Sequence, residues 1–134
     1  MADTHQIKKK KILIIGFGSM GRKYEKILKK KYLIYFHDKK KIKKNNFIKK
    51  LNSSIVKKFY FVIITTPPNY HKKYCNLCVQ ANKDFIVEKP LFLKIEGWKK
   101  IVLNIKKKKI NLFRSLSKKR VNCTQVYQKY NQKE

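Results

Sequence analysis

Residues 11–21 read KILIIGFGSMG, and the fold turns on how this stretch is parsed. Ile12, Leu13, Ile14 and Ile15 form an unbroken aliphatic run, without the alternation of a half-exposed strand, and so read as a strand buried on both faces. From Ser19 to Lys30 the spacing changes. Met20, Tyr24, Ile27 and Leu28 recur at intervals of three and four, which predicts an amphipathic helix. Between strand and helix lies G-x-G-x-x-G, made by Gly16, Phe17, Gly18, Ser19, Met20 and Gly21. The pattern is short, and it gains meaning from following a strand and opening a helix. Gly16 permits the tight turn, Gly18 lets bare backbone approach a pyrophosphate, and Gly21 lets the helix close onto the strand. The helix start adds free N–H groups and positive potential. A P-loop is excluded, because Arg22-Lys23 follow Gly21 where that motif needs G-K-[ST].

Outward from this unit the same alternation continues. Tyr32 to Phe36 is a second strand, ended by His37-Asp38, and Phe59 to Thr66 a third, punctuated by Pro67-Pro68. Between them Ile42, Phe47, Ile48 and Leu51 suggest a short helix. Asp38 and Thr65 stand only 27 positions apart, so the second helix and third strand of a full strand-helix series are expected to be shortened. Tyr70, Tyr74, Leu77, Cys78 and Ala81 share a helical face, with Asn82 a left-handed terminator. Phe85 to Val87 is a short strand. Ile95, Trp98, Ile101, Val102 and Ile105 mark a last helix, followed by strand Ile110 to Phe113. Strands apolar on both faces and separated by helices predict an α/β fold, a doubly wound parallel sheet of the Rossmann type. The expected domain runs over 8–113, with a divergent tail over 114–134.

The chain has 134 residues, enough for one core. Its 36 basic residues against 7 acidic ones give a formal charge of +29. A charge this large predicts salt-sensitive, non-specific contact with polyanions. Only Arg22, Arg114 and Arg120 are arginine, the residue suited to bidentate base and phosphate recognition. The lysines are spread along the chain and accompany abundant isoleucine and asparagine, as an AT-rich genome would produce. A polyanion-binding protein on a Rossmann scaffold stays open as an alternative. The apolar runs are too short to span a membrane. The start, MADTHQIKKKK, lacks the apolar stretch of a secretory signal. Three cysteines, an odd number, suit a reducing compartment, so the expected location is cytoplasmic. Cys75 and Cys78 form C-x-x-C four residues after His71, but Cys78 falls on the apolar stripe and a zinc set would lack its second half. They read as core, and no metal is expected. His5 and His37 have no recognisable partner in the sequence.

Asp38 ends the second strand 22 residues after Gly16, where an acid accepts hydrogen bonds from the adenosine ribose of NAD. Lys39 to Lys41 follow at once and could instead hold a 2′-phosphate, leaving NADP open. Thr65-Thr66-Pro67-Pro68-Asn69-Tyr70-His71 lies at the carboxyl end of a strand, the edge where ligands bind in open α/β sheets. Later comes NKDFIVEKPL, residues 82–91. In order and spacing, GFGSMG, VIITTPPNYH and NKDFIVEKPL closely resemble the cofactor domain of the glucose-fructose oxidoreductase/inositol dehydrogenase/rhizopine catabolism (Gfo/Idh/MocA) family, from about Lys11 to Phe113.

The resemblance implies an NAD(P)-dependent oxidoreductase acting on a sugar, polyol or related secondary alcohol. It places the glycine loop, with Phe17, Ser19 and Met20, on the pyrophosphate and adenosine side. Thr65, Thr66 and Pro67 would line the cofactor trough, with His71 at its rim, and Glu88 would sit against the nicotinamide ribose. Lys89 would be the catalytic lysine, near the hydroxyl that loses its proton as hydride leaves. The residues themselves agree in part: a lysine at a strand's carboxyl edge, followed by stiff Pro90, can transfer a proton or polarise a carbonyl. Departures are Asn82 where the family has glycine, Tyr60 where it has an acid, and Arg114-Ser115-Leu116-Ser117 after the last strand. Family members continue into a substrate domain, absent here. The expectation is therefore a truncated unit with little or no turnover alone, a partner domain encoded separately, or a decayed remnant.

Overall fold

The computed structural model describes residues 8–114. Five strands, β1 (Lys11–Ile15), β2 (Leu33–His37), β3 (Phe61–Ile64), β4 (Phe85–Val87) and β5 (Leu112–Arg114), form one sheet in the order β2-β1-β3-β4-β5. All neighbours are parallel. Four helices join them: α1 (Ser19–Leu28), α2 (Ser53–Val56), α3 (Pro68–Gln80) and α4 (Trp98–Lys107). The chain leaves β1 toward one sheet edge and returns past it to build the other, so the topological switch point lies between β1 and β3. This is the expected doubly wound Rossmann-type sheet.

The period of two along each strand assigns its residues to opposite faces. Leu13, Ile15, Val62, Ile64, Phe85 and Val87 join buried residues of α2, α3 and α4 in one core. Ile12, Ile14, Ile34, Phe36 and Ile63 form a smaller one, against which Tyr24 and Leu28 of α1 pack. Helix α3 opens on Pro68, where a missing N–H costs nothing, and ends before Asn82, which takes the left-handed conformation at φ 55°.

The segment between β2 and β3 differs from its reading as a helix over Ile42 to Leu51. Here Phe47 makes a parallel bridge to Phe36. The Phe36 amide donates to Asn46 O and the Ile48 amide to Phe36 O, at 3.0 and 2.7 Å. Asn46 Nδ2 donates to Ile34 O at 3.0 Å. The apolar residues thus lie along the outer edge of β2 as a strand remnant, because β2 offers unpaired backbone groups that a helix would leave unmet. The helix that does form is the single turn α2, whose Asn52 cap accepts from the Ile55 amide at 2.9 Å. The divergent tail, beyond Arg114, lies outside the described residues, as does His5. His37 does have partners, Ile48 O at 2.8 Å and the Tyr74 hydroxyl at 3.4 Å. No helix among the described residues is long and apolar enough to cross a membrane.

Candidate functional site

Strand register builds the site. Ile15 pairs with His37 on one side and Ile64 on the other, and Ile64 pairs with Val87. The next residue of each strand, Gly16, Asp38, Thr65 and Glu88, therefore stands on a common rim at the carboxyl edge. Three separate sequence motifs meet there although the chain between them spans 72 positions, from Gly16 to Glu88. They open onto a cleft of about 620 Å³ lined by the glycine loop from Gly16 to Met20, by Asp38, by Thr65 to Pro67, and by Glu88 and Lys89.

Each glycine has a separate physical reason. Gly16 has φ +92°, and a Cβ there would come within 2.8 Å of the Thr66 amide nitrogen. A Cβ on Gly21 would collide with the Gly16 carbonyl, so this glycine sets how closely α1 approaches the loop. Gly18 has nothing within 4 Å of where its side chain would stand. Packing does not demand a glycine there, and the bare backbone leaves room for a ligand to approach. Gly18 is also the N-cap of α1, with no side-chain cap and no acid in the first turn, which leaves the helix start open to an anion.

Asp38 fixes the loop from the side. Its Oδ2 accepts from the Phe17 amide at 2.8 Å and its Oδ1 from the Lys40 amide at 3.1 Å. On the opposite wall the Thr65 hydroxyl donates to the Gly16 carbonyl, tying β3 to the loop. The Thr66 hydroxyl is buried and has no hydrogen-bond partner among the described residues. An orphaned polar atom in a cleft wall fits a ligand that supplies the missing partner. Glu88 Oε1 accepts from the Tyr24 hydroxyl at 3.0 Å. Burial first, then that carboxylate, holds the Tyr24 phenol well above its usual range. Lys89 is exposed at the mouth.

Two of the expected residues stand behind the lining. Gly21 is buried under Gly16. His71 is fully buried, not at the rim, with Nε2 2.7 Å from the Thr66 carbonyl oxygen and Nδ1 3.0 Å from that of Leu91. It joins the turn after β3 to the loop after Lys89. Lys39 and Lys40, two of the three lysines expected beside Asp38, line the cleft, and so do two residues read from the sequence only as part of a helical face, Tyr70 and Tyr74. Both lie on the apolar stripe of α3: Tyr74 is buried in the larger core and borders the cleft from within it, whereas Tyr70 is half-buried, a difference that periodicity does not resolve. Lys39 lies with its ammonium 3.6 Å from the Tyr70 ring centroid, and its hydrogen bond and charge lower the Tyr70 phenol's pKa. Cys75 and Cys78 are buried in the larger core, where burial pushes the Cys78 thiol up.

A parallel sheet with a glycine loop at its switch point and an acid closing the second strand defines a dinucleotide-binding domain of the Rossmann class. The sequence profile of the Gfo/Idh/MocA oxidoreductase family, NAD-binding Rossmann fold, matches residues 10–114, and the chain belongs to that family. A search of curated proteins returned no match. Among solved structures, the chain is similar to apo scyllo-inositol dehydrogenase from Lactobacillus casei, with 20% identity and a TM-score of 0.68, covering 81% of this chain and 37% of that one. A dehydrogenase from Clostridium difficile gives 21% identity and 0.67, covering 81% and 39%. GenD2 from gentamicin A biosynthesis, in complex with NAD, gives 17% and 0.65, covering 83% and 35%. At these identities the likeness shows the fold. The chain spans little more than a third of the length of these structures.

Proposed function

We propose that residues 8–113 are the cofactor-holding unit of an oxidoreductase that dehydrogenates a secondary alcohol of a sugar, polyol or related compound. The observation that carries this reading is the convergence of Gly16, Asp38, Thr65 and Glu88, each one residue past a strand end, on a single cleft. When bound, the nicotinamide ring supplies the hydride acceptor. The backbone around Gly18 and the open start of α1 take the pyrophosphate, and Asp38 keeps Phe17 and the loop in place while meeting the adenosine ribose. Thr66 offers its unpartnered hydroxyl to the ligand. Glu88, held by Tyr24, lies toward the nicotinamide ribose, and Lys89 takes the hydroxyl proton as hydride leaves the carbon, or returns it in the reverse direction. His71 acts from behind, fixing both the Thr66 wall and the loop that follows Lys89.

The longer relatives support a further part of the reading: turnover needs a substrate-binding domain joined to or associated with this unit. A fluorescence titration tests the cofactor step. NADH should bind saturably, and Asp38→Ala should weaken it by about tenfold, as expected for loss of charge-assisted bonds to the loop. Lys89→Ala should leave NADH affinity within about twofold, since one exposed charge adds little to binding.

A second reading rests on a different groove. Between α3 and α4, Lys72, Lys73, Lys100 and Lys108 line a concavity that no carboxylate side chain lines among the described residues. This favours weak polyanion contact there, measurable as nucleic-acid binding that falls steeply with salt and ignores NADH.

A further inference from the structure

We propose that the amino edge of the sheet, opposite the cofactor cleft, binds single-stranded nucleic acid, with a base stacked on Tyr60 and backbone phosphates on the lysines that precede the strands.

The fold sorts charge that the sequence leaves scattered. Four of the five strands are entered through exposed lysine runs: 29–31 before β2, 8–10 before β1, 57–58 before β3 and 106–109 before β5. Because all strands are parallel, these entries fall on one edge and make a row of cations along it. Of the described acids, Asp38 and Glu88 follow strand ends at the opposite edge, and Glu96 lies in the connection from β4 to α4. Glu25 is paired with Lys44. Asp84, before β4, accepts from the main-chain and side-chain N–H groups of Asn111 at 2.7 and 3.2 Å. Among the described residues no carboxylate is left over to neutralise the row.

Charge alone would hold any polyanion, but this edge also carries an open ring. Residues 8–11 and 58–60 line a concavity of about 410 Å³ in the middle of it. Phe59 is buried in the larger core, and the Tyr60 amide donates to Lys11 O at 2.9 Å, so Tyr60 stands on a fixed base. Its own side chain is 53% exposed. The ring lies nearly parallel to that of Tyr32, with centroids 6.5 Å and planes 14° apart. The Lys10 ammonium is 4.1 Å from the Tyr60 centroid. An open aromatic face among ammonium groups suits a stacked base with its phosphate attached. Bases offer their faces only where the strand is unpaired, so a duplex is the poorer partner. No arginine stands in these lysine runs to read base edges, which makes the binding tolerant of sequence. The groove between α3 and α4 is lined by lysines but by no aromatic side chain, and lacks this selectivity.

Fluorescence anisotropy of the full chain with a labelled single strand of about twelve nucleotides, and with the matching duplex, tests this. The single strand should bind about tenfold more tightly than the duplex, and less tightly as salt rises. Tyr60→Ala should weaken the single strand about tenfold with the salt slope unchanged, and Tyr60→Phe should stay within about twofold of the wild type, since stacking needs the ring and not the hydroxyl. Lys10→Gln should weaken binding and lower the salt slope by about 0.7. Lys100→Gln, in the α3–α4 groove, should change affinity by less than about twofold. Unchanged affinity in Tyr60→Ala, or a duplex bound as tightly as the single strand, would overturn the inference. So would a loss at Lys100→Gln equal to that at Lys10→Gln, since the effect would then be one of overall charge. Displacement of the strand by phosphatidylserine vesicles, with Tyr60→Ala weakening vesicle binding equally, would assign the edge to a membrane surface instead. None of these readouts depends on the cofactor cleft.

Discussion

On one face of the sheet, twenty buried residues drawn from strands, three helices and their loops form a single core. On the other, five buried strand residues meet the one helix α1. The difference separates stability from binding. The thick face anchors the switch-point strands from below, through Leu13, Ile15, Val62 and Ile64. The thin face carries the glycine loop and α1, whose open N-terminus is the part offered to a ligand. A helix start uncapped in this way is poorly suited to supporting a fold and well suited to meeting an anion.

The contrast can be broken by substitution, and the largest effect should come from the thick face. Trp98, buried and packed 5.1 Å from Phe92 between ring centroids, should cost about 3–5 kcal/mol as Trp98→Ala in denaturant unfolding. A loss below about 1 kcal/mol would mean that α4 is not part of the cooperative core. Next come the two glycines at the border. Gly21→Ala must displace the Gly16 carbonyl and should lower stability by about 1–3 kcal/mol together with NADH binding. Gly18→Ala meets open space, so its melting temperature should stay within a few degrees while NADH affinity falls about tenfold. Equal behaviour of the two variants would erase the distinction between a packing glycine and a ligand-facing one.

The smallest effect concerns pH on the thin face. The Tyr24 phenol is held above its ordinary value of 10.0 by burial and by Glu88. The folded state thus keeps a proton that the unfolded chain releases. Its contribution to stability is complete below pH 10 and declines as pH rises further. Tyr24→Phe should flatten the alkaline fall in unfolding free energy, and an unchanged slope would show that the Tyr24–Glu88 pair does not carry it.

Much of this was legible in the sequence because it rests on backbone rules. The run from Ile12 to Ile15, the spacing of Gly16, Gly18 and Gly21, and the acid at Asp38 each have a local cause. The segment from Ile42 to Leu51 differs from its helical reading because Ile42, Phe47 and Ile48 fit a helical stripe as well as a strand edge. Only the free edge of β2, a tertiary feature, decides between them. The same limit hid the place of Tyr70, half-buried beside the cleft, on a stripe whose next member, Tyr74, is buried in the core. His71 was recognised by its motif, but nothing in the motif says that both ring nitrogens face main-chain carbonyls inside the wall. The lysines illustrate the converse. Composition could not rank one above another; position directly after Asp38 marked Lys39 to Lys41, and the register of β2 beside β1 brings Lys39 and Lys40 of these into the cleft.

The central claim is that the carboxyl-edge cleft holds a nicotinamide dinucleotide against the glycine loop. The most direct test is a calorimetric titration of the wild-type chain with NADH, repeated on Gly18→Ala. One saturable site in the wild type, weakened in a variant that is equally stable, is the predicted result. No binding by the wild type up to low millimolar NADH, or equal binding by both proteins, would contradict it.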